Sequence, residues 1–225
     1  VKMFLEAPRE QLQEVYVSES FLEKCSCREH LEEVGYEVVS DSVFSKISDT
    51  CTPQGVLCVL KQFHYNIEEM LRDKAPLFLL LENIQDPGNL GTMLRTGEGA
   101  GVSGIIMSRD TVDLYNPKVI RSTMGSIYRV PFYYADDFAA AVHQVQQVGV
   151  SVYAAHLRGK NSYACQDYTK GTAFLIGNEG NGLREETAEL ADCYIRIPME
   201  GKVESLNAAV ASSILMYEAH RQRAI

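Results

Sequence analysis

The feature that most constrains the fold is a series of short apolar strand patterns that alternate with helical patterns after residue 75. Residues 77–82 (LFLLLE), 104–108 (GIIMS) and 173–177 (AFLIG) are almost wholly apolar. Strands without a polar face are typical of a sheet that is covered on both sides. The sequence therefore predicts an α/β fold with a mostly parallel sheet and helices on both faces. Further strands are expected at 130–134, 151–155 and 194–197, and helices at 89–101, 116–124, 136–148 and 205–223.

The first third of the chain has a different pattern. Its predicted elements are short, with helices at 8–15, 19–25 and 41–48, the approach to a strand at 14–17, and strands at 36–39 and 55–61. Residues 1–74 are also more acidic than the rest, with 14 acidic and 8 basic side chains. We predict a small α+β domain at residues 1–65, a linker at 66–75 and a larger domain at 76–225.

Charge and cysteine content exclude several classes of protein. A net charge of −9 argues against a protein that coats DNA through charge alone, although a local basic site remains compatible with it. No apolar run approaches the roughly 20 residues of a membrane helix, so no membrane partner is expected. The six cysteines and five histidines show no metal-ligand spacing, so we expect no metal. A small number of cysteines is typical of a protein whose thiols stay reduced, so we expect a cytoplasmic protein.

One motif is misleading. Residues 99–104 (GAGVSG) fit the G-x-G-x-x-G pattern of dinucleotide-binding proteins. That pattern binds phosphates when it follows a strand and begins a helix, because the free N–H groups of the helix start then face the ligand. Here it ends a predicted helix and precedes a strand. The glycines therefore indicate a helix C-cap and a tight turn.

Three polar, glycine-rich segments follow predicted strands. Sites in open α/β sheets lie beyond the carboxyl ends of the strands. In the first segment a turn at 86–88 (DPG) leads to Asn89, which we expect to cap a helix, and to Arg95 six residues later. In the second, Glu179 lies among the glycines of IGNEGNG (176–182).

The third segment, IPMEGKVESLNAAVA (197–211), leads into the long final helix. We expect that helix to begin at Ser205, with Asn207 inside its first turn. Taken alone, each segment is also compatible with ordinary helix capping or a flexible loop.

Taken together and in this order, the three segments resemble the motifs of the SpoU family of RNA ribose 2′-O-methyltransferases, in the SPOUT superfamily. The matching strings are NIQDPGNLGTMLRTGEGAG, FLIGNEGNGL and IPMEGKVESLNAAVA. The resemblance covers about residues 77–222. It implies a sheet whose C-terminal part is threaded into a trefoil knot, which holds S-adenosylmethionine as the cofactor. It also implies a homodimer that acts on RNA.

The resemblance assigns roles residue by residue. The implied catalytic set is Asn89, Arg95, Glu179, Ser205 and Asn207. The implied cofactor-binding set is Ile176, Gly177, Ile197, Pro198, Met199 and Leu206. The segment 1–65 is similar to the small RNA-binding domain with a ribosomal-protein L30-like fold that precedes the catalytic domain in members acting on ribosomal RNA. That similarity favours ribosomal RNA as the partner.

The chemistry of the reaction fits these residues. A ribose hydroxyl has a very high pKa, so transfer requires alignment of the hydroxyl and a group that stabilises or accepts its proton. Arg95 is always protonated in water, so it suits a clamp on the phosphate beside the target ribose better than a base. Glu179 is then expected to orient Arg95 or nearby donors, and Asn89, Ser205 and Asn207 to supply neutral hydrogen bonds.

Three alternatives stay open at this point. They are a transfer RNA 2′-O-methyltransferase, a catalytically silent RNA-binding protein of the same fold, and a related enzyme that methylates a base nitrogen. The presence of Asn89, Arg95, Glu179 and Asn207 argues against a silent protein.

Overall fold

The structure is a computed structural model that describes residues 1–203 and 205–224 of the chain. It divides into two compact units, one at Val1–Phe63 and one that starts at His64. Residues 66–75, which we predicted as a linker, therefore lie in the second unit. They include the short helix α5 (Ile67–Met70), whose Ile67 and Met70 side chains are buried in the core of that unit. These two apolar side chains explain why the segment packs as part of the larger unit.

The first unit is a three-stranded sheet with short helices. Strand β1 (Leu12–Ser18) is central and pairs in parallel with β2 (Glu37–Val39) and antiparallel with β3 (Val56–Leu60). Its core is small and is built around Phe4, Val15, Val17 and Leu31. The helices are α1 (Lys2–Glu6), α2 (Glu19–Lys24), α3 (Arg28–Val34) and α4 (Asp41–Ile47).

Our predicted helix at 8–15 is wrong. Residues from Leu12 onward form β1, in which Val15 and Val17 point to the same buried face. A period of two in burial is the mark of a strand, and only the full length of β1 makes it visible. Helices α1 and α3 were also missed, whereas α2, α4, β2 and β3 agree with the prediction to within one or two residues.

The second unit contains a seven-stranded sheet within the described residues. Its strand order is β6-β5-β4-β9-β7-β10-β8, and all of its strand pairs run parallel. Every residue of β4, β5 and β9 is buried, as their continuous apolar runs predicted. The strands are β4 (Leu77–Leu81), β5 (Gly104–Ser108), β6 (Phe132–Ala135), β7 (Ser151–Ala155), β8 (Asn161–Ser162), β9 (Thr172–Ile176) and β10 (Cys193–Arg196).

Helices cover this sheet, and the predicted fold class is confirmed. They are α6 (Pro87–Ala100), α7 (Pro117–Thr123), α8 (Phe138–Gln147), α9 (Glu185–Ala188) and α10 (Ala208–Arg223). Gly101 ends α6 with a φ of +76°, which confirms that the G-x-G-x-x-G pattern is a helix C-cap. The trefoil threading of the C-terminal segment stays an expectation of the resemblance. Across the described part of the chain, no helix combines the length and the apolar character that crossing a bilayer requires.

The two helices that border the site begin at other residues than predicted. Helix α6 starts at Pro87, and its cap is Asp86, whose carboxylate accepts a hydrogen bond from the Asn89 N–H at 2.7 Å. Proline is favoured at a first helical position, so Asp86 rather than Asn89 is the cap. Helix α10 starts at Ala208, and Asn207 is its cap instead of lying inside the first turn. As a result, the Asn89 side chain is free for other partners, whereas Asn207 uses its Oδ1 to cap α10 and keeps only its Nδ2 for them.

Candidate active site

The loops that follow β4 and β9 meet because these strands are neighbours in the sheet. Leu81 and Ile176, the last residues of the two strands, are paired in the register. Glu179 bridges the two loops. Its carboxylate accepts hydrogen bonds from the Gln85 N–H at 3.1 Å, the Asp86 N–H at 3.1 Å and the Asn89 side-chain amide at 2.9 Å. One carboxylate thus fixes the start of α6 against the glycine-rich loop.

The Glu179 carboxyl group has a pKa below its usual value. Partial burial disfavours the charged form, but the hydrogen bonds from Asn89 and from the backbone of Gln85 and Asp86 outweigh that effect. Glu179 is therefore ionised at neutral pH. An anion with a lowered pKa is a weak base, so its position suits it to organise donors more than to remove a proton.

A third loop joins the same network through Asn207. Its Nδ2 donates to Asn89 Oδ1 at 3.0 Å, while its Oδ1 accepts from the N–H groups of Ala209 and Val210. Asn89 in turn uses its own Nδ2 on Glu179. The result is a chain of side chains, Asn207 to Asn89 to Glu179, that ties together the three segments singled out by their sequence.

The glycine-rich loop is held in a tight shape. The backbone groups of Asn178 and Gly182 bond to each other at 3.0 and 2.9 Å, and the Asn178 side-chain amide donates to Asn83 O at 2.8 Å. A Cβ at Gly177 would lie 2.2 Å from Gly182 C and Leu183 N, which no side chain tolerates. Glycine at 177 is therefore required for the close return of the loop.

A cavity of about 260 Å³ opens beside this loop. Ile176, Gly177 and Glu179 form one wall, and Ile197 and Met199 form another. Of the sequence-predicted site residues, those that line the cavity are Ile176, Gly177, Glu179, Ile197, Met199, Ser205 and Leu206. Pro198 is exposed and is not part of the wall. The walls combine apolar side chains with the backbone groups of a glycine-rich loop and one carboxylate.

A second, more open cavity lies next to the first and shares its Asn178–Gly180 wall. Its other side is formed by Gln85, Asp86, Pro87, Asn89 and Asn207. The chain of side chains from Asn207 to Glu179 therefore borders both cavities. This arrangement can hold two ligands side by side. One would lie in the first cavity, the less open of the two, which we call the enclosed cavity, and the other in the second, open cavity.

Arg95 stands apart from both cavities. It lies six residues beyond Asn89 on α6, which places it about 9 Å along the axis and on a different face of the helix. Its side chain is exposed, and no described residue forms a hydrogen bond or an ion pair with it. The structure therefore brings together Asn89, Glu179, Ser205 and Asn207 but does not bring Arg95 into contact with them. We expected Glu179 to orient Arg95 or nearby donors, and its contacts fit the second of these two roles.

Several residues of the site were missed in the sequence. His156 and Leu157 follow β7 and form the far side of the enclosed cavity, and Arg196 lies at its edge. Asn178 could have been found, since asparagine beside a glycine-rich turn commonly bonds to the backbone. His156 gave no such signal, because only the position of β7 in the sheet brings it to the cavity. Within residues 1–203 and 205–224, no three His, Cys, Asp or Glu side chains gather as a metal site would require.

The chain is similar to known proteins in both sequence and fold. Residues 76–217 match the family model described as the SpoU rRNA Methylase family. The 23S rRNA (guanosine(2553)-2′-O)-methyltransferase RlmP of Bacillus subtilis is 35% identical over 180 residues, which are 80% of this chain and 70% of that protein. The 23S rRNA (guanosine-2′-O-)-methyltransferase RlmB of Bordetella pertussis is 32% identical over 222 residues, or 95% of this chain and 91% of that protein.

Among solved structures, an AdoMet-bound rRNA methyltransferase from Sinorhizobium meliloti has the same fold. Its TM-score is 0.84 at 32% identity, with 98% of this chain and 85% of that chain covered. The match therefore extends over both units of the chain and is not confined to the second.

Proposed function

Since the chain belongs to the SpoU rRNA Methylase family, we propose that it transfers a methyl group from S-adenosylmethionine to the 2′-hydroxyl of a ribose in ribosomal RNA. The observation that carries the proposal is the hydrogen-bonded chain of Asn207, Asn89 and Glu179 on the border of two adjoining cavities. A transfer reaction requires two bound partners whose reacting groups are held in line, and these cavities share a wall.

The enclosed cavity has the residues to hold S-adenosylmethionine. Ile176, Ile197 and Leu206 offer apolar surface to the adenine and the alkyl chain, and the 177–182 backbone offers polar atoms. The ionised Glu179 supplies negative charge at the wall for a ligand that carries a positive sulfur. When bound, this cofactor supplies a methyl group that its positive sulfur has already activated, so the chain's own residues need only position the hydroxyl and manage its proton.

The roles in this proposal follow from the contacts. Asn89, Glu179 and Asn207 hold the three loops in register, since most of their hydrogen-bonding capacity is used on one another and on the backbone. Arg95 binds the phosphate next to the target ribose. Its support is an exposed guanidinium that has no protein partner among the described residues. Ser205 is exposed and lines the enclosed cavity, where its hydroxyl can reach the bound donor.

Ribosomal RNA is the preferred substrate over transfer RNA. Relatives whose names specify 23S rRNA align with 80–95% of this chain, and the longer alignment includes the first unit. The proposal gives residues 1–65, which include that unit (Val1–Phe63), the role of an RNA-binding domain. With 14 acidic and 8 basic side chains in residues 1–74, it would recognise RNA shape more than phosphate density.

The proposal includes a homodimer. Val210 and Tyr217 on α10 are 49% and 50% exposed and lie seven residues apart, so they share one face of the helix. Apolar side chains on one exposed helix face suit a contact with a second copy. We place the activity in the cytoplasm, because all six cysteines are free thiols, as a reducing compartment favours.

Two measurements test the proposal. Calorimetric titration of the full chain with S-adenosylmethionine should show one site per chain. Mass-spectrometric mapping of ribosomal and transfer RNA, with and without the protein, should then show one added 2′-O-methyl group in ribosomal RNA. Binding without methylation of any RNA would favour the silent RNA-binding protein, and methylation of transfer RNA alone would overturn the choice of substrate.

A further inference from the structure

A buried carboxylate, Glu82, lies just beyond β4 and takes no part in the network of Glu179. Its residue is 2% exposed. Burying a charge is costly unless hydrogen bonds and opposite charges compensate, so the partners of Glu82 show what it holds in place. Its backbone N–H already donates to the carbonyl of Ile176, the last residue of β9, at 2.9 Å.

The partners of the Glu82 carboxylate lie directly after the glycine-rich loop. The Arg184 N–H donates to Oε2 at 2.8 Å, and the hydroxyl of the buried Thr187 donates to Oε1. The Arg184 guanidinium adds charge, since its Nη1 lies 3.5 Å from Oε1 and it also pairs with Asp110. Arg184 caps α9, so Glu82 places an anion at the start of that helix.

Glu82 therefore fixes both ends of the loop at 177–183. Its backbone holds Ile176 before the loop, and its side chain holds Arg184 and Thr187 after it. That loop forms one wall of the enclosed cavity, but Glu82 itself does not line the cavity. We propose that Glu82 is a positioning residue for the methyl donor, which keeps the glycine-rich loop in its binding conformation without touching the ligand. This inference rests on the proposed function.

Loss of these hydrogen bonds should weaken the binding of S-adenosylmethionine. When a site is in its binding conformation for only part of the time, the apparent Kd rises in inverse proportion to that fraction. In Glu82→Gln one acceptor oxygen becomes an NH₂ group, which cannot accept a hydrogen bond. Of the two donors, the Arg184 N–H and the Thr187 hydroxyl, one therefore loses its acceptor. We expect the Kd for S-adenosylmethionine to rise about tenfold, the size of effect that one lost charged hydrogen bond gives.

The kinetic signature separates positioning of the donor from a general loss of structure. At saturating S-adenosylmethionine, kcat of Glu82→Gln on ribosomal RNA should stay within about twofold of the wild type, while KM for the donor rises with Kd. Glu189→Gln is the matched control, because it removes the same charge from an exposed residue directly after α9. We expect the control to bind the donor as the wild type does. Thermal unfolding establishes that all variants are compared at an equal folded fraction.

Thr187→Val provides a second, independent test. It keeps the shape of a buried side chain and removes only the hydroxyl donor to Glu82, so donor affinity should fall by a smaller factor than in Glu82→Gln. If Glu82 acts through Thr187, adding Thr187→Val to Glu82→Gln should change the affinity no further. Should Glu82→Gln not fold, an unchanged donor affinity of folded Thr187→Val would overturn the inference.

The outcomes for the inference and for the proposed function are distinguishable. A wild-type protein that fails to bind S-adenosylmethionine overturns the proposed function and this inference with it. A wild-type protein that binds the donor, together with a folded Glu82→Gln variant of equal affinity, overturns the inference alone. A loss of kcat with an unchanged KM for the donor would also overturn it, because the residue would then act on the reaction step.

Discussion

Glu179 collects three hydrogen bonds from one neighbouring segment, and this explains how a single acid organises the site. Two of its donors are backbone N–H groups, which are available only because the chain at Gln85 and Asp86 has not yet entered α6. The third is the amide of Asn89, which Asn207 orients from the other side. Each residue thus depends on the next for its orientation, so their effects on activity should not add independently.

The first residue-scale prediction concerns pH. The pKa of Glu179 in the folded protein lies below its usual value, so the network is complete at neutral pH and is lost only as the pH falls through that lowered pKa. The contribution of Glu179 to donor affinity should therefore be constant down to about pH 4.3, the ordinary pKa of glutamate, and decline below it. Calorimetry with S-adenosylmethionine between pH 7 and pH 4 measures this.

Glu179→Gln is the matched variant for that experiment. It should bind the donor about tenfold more weakly at pH 7, because an amide nitrogen replaces an oxygen that accepts hydrogen bonds from N–H groups. Its affinity should also no longer decline in acid. A decline centred above pH 5 in the wild type, absent from the variant, would contradict the lowered pKa.

The second residue-scale prediction concerns Arg95. Its guanidinium lies outside both cavities, so Arg95→Ala should abolish methyl transfer to RNA while the Kd for S-adenosylmethionine stays within a few-fold. Arg72→Ala is a control, since Arg72 is also exposed and its guanidinium has no partner in the described part of the chain. RNA methylation and donor titration measure the two effects separately. Loss of donor binding in Arg95→Ala would refute the role as a phosphate clamp.

At the scale of elements, the strands were predictable and the ends of the helices were less so. Strands β4, β5 and β9 stand out because a run of apolar residues without a polar face can only be a buried strand or a buried helix, and five residues are the usual length of a strand. The prediction starts α6 at Asn89, whereas the helix starts at Pro87 with Asp86 as its cap, because aspartate is a good cap and proline is favoured at the first helical position. The three motif segments contain most of the residues of the site. The bonds of Glu82 and the position of His156 depend on strand order, which local sequence does not encode.

The loop after β9 supports a prediction with an internal control. In Gly177→Ala the new methyl group would meet backbone atoms of Gly182 and Leu183 at 2.2 Å, so the loop must move and donor binding should be lost. In Gly180→Ala, three residues away, the nearest atom to the new methyl group is Asn178 Oδ1 at 3.6 Å, which is ordinary contact. Donor binding by Gly180→Ala should stay close to that of the wild type. Calorimetry compares the two variants, and equal affinities would show that the tight return of the loop is not needed for binding.

At the scale of the whole molecule, the final helix extends from the site, at the carboxyl ends of the strands, to the opposite ends of the strands of the large sheet. Helix α10 has 16 residues, which corresponds to a length of about 24 Å. Its first end carries Asn207 in the network at the carboxyl ends of the strands. Its last residue, Arg223, lies where β4 and β9 begin. A helix fixed at both ends in this way keeps the third loop in register with the other two, so the order of the site depends on contacts far from it.

Arg223 provides the test of that dependence. Its guanidinium donates to the carbonyls of Ala75 at 2.8 Å, Pro76 at 3.1 Å and Tyr168 at 2.8 Å, and also to that of Lys170. Partial burial lowers the pKa of Arg223, against the opposing effect of Asp73, but leaves the group charged at any physiological pH. Arg223→Ala should destabilise the protein by roughly 2 kcal/mol and lower Tm by about 4–8 °C.

Arg221→Ala is the matched control for this variant. Arg221 lies on the same helical turn, but its side chain is 62% exposed and, among the described residues, pairs only with Glu218 on its own helix. Its loss should change the stability by less than about 1 kcal/mol. Hydrogen exchange resolves the consequence along α10. In Arg223→Ala the amides of the last turn should exchange faster, and donor affinity should fall because Asn207 is then less firmly placed. Fast exchange at the last turn with unchanged donor affinity would mean that the two ends of α10 are independent.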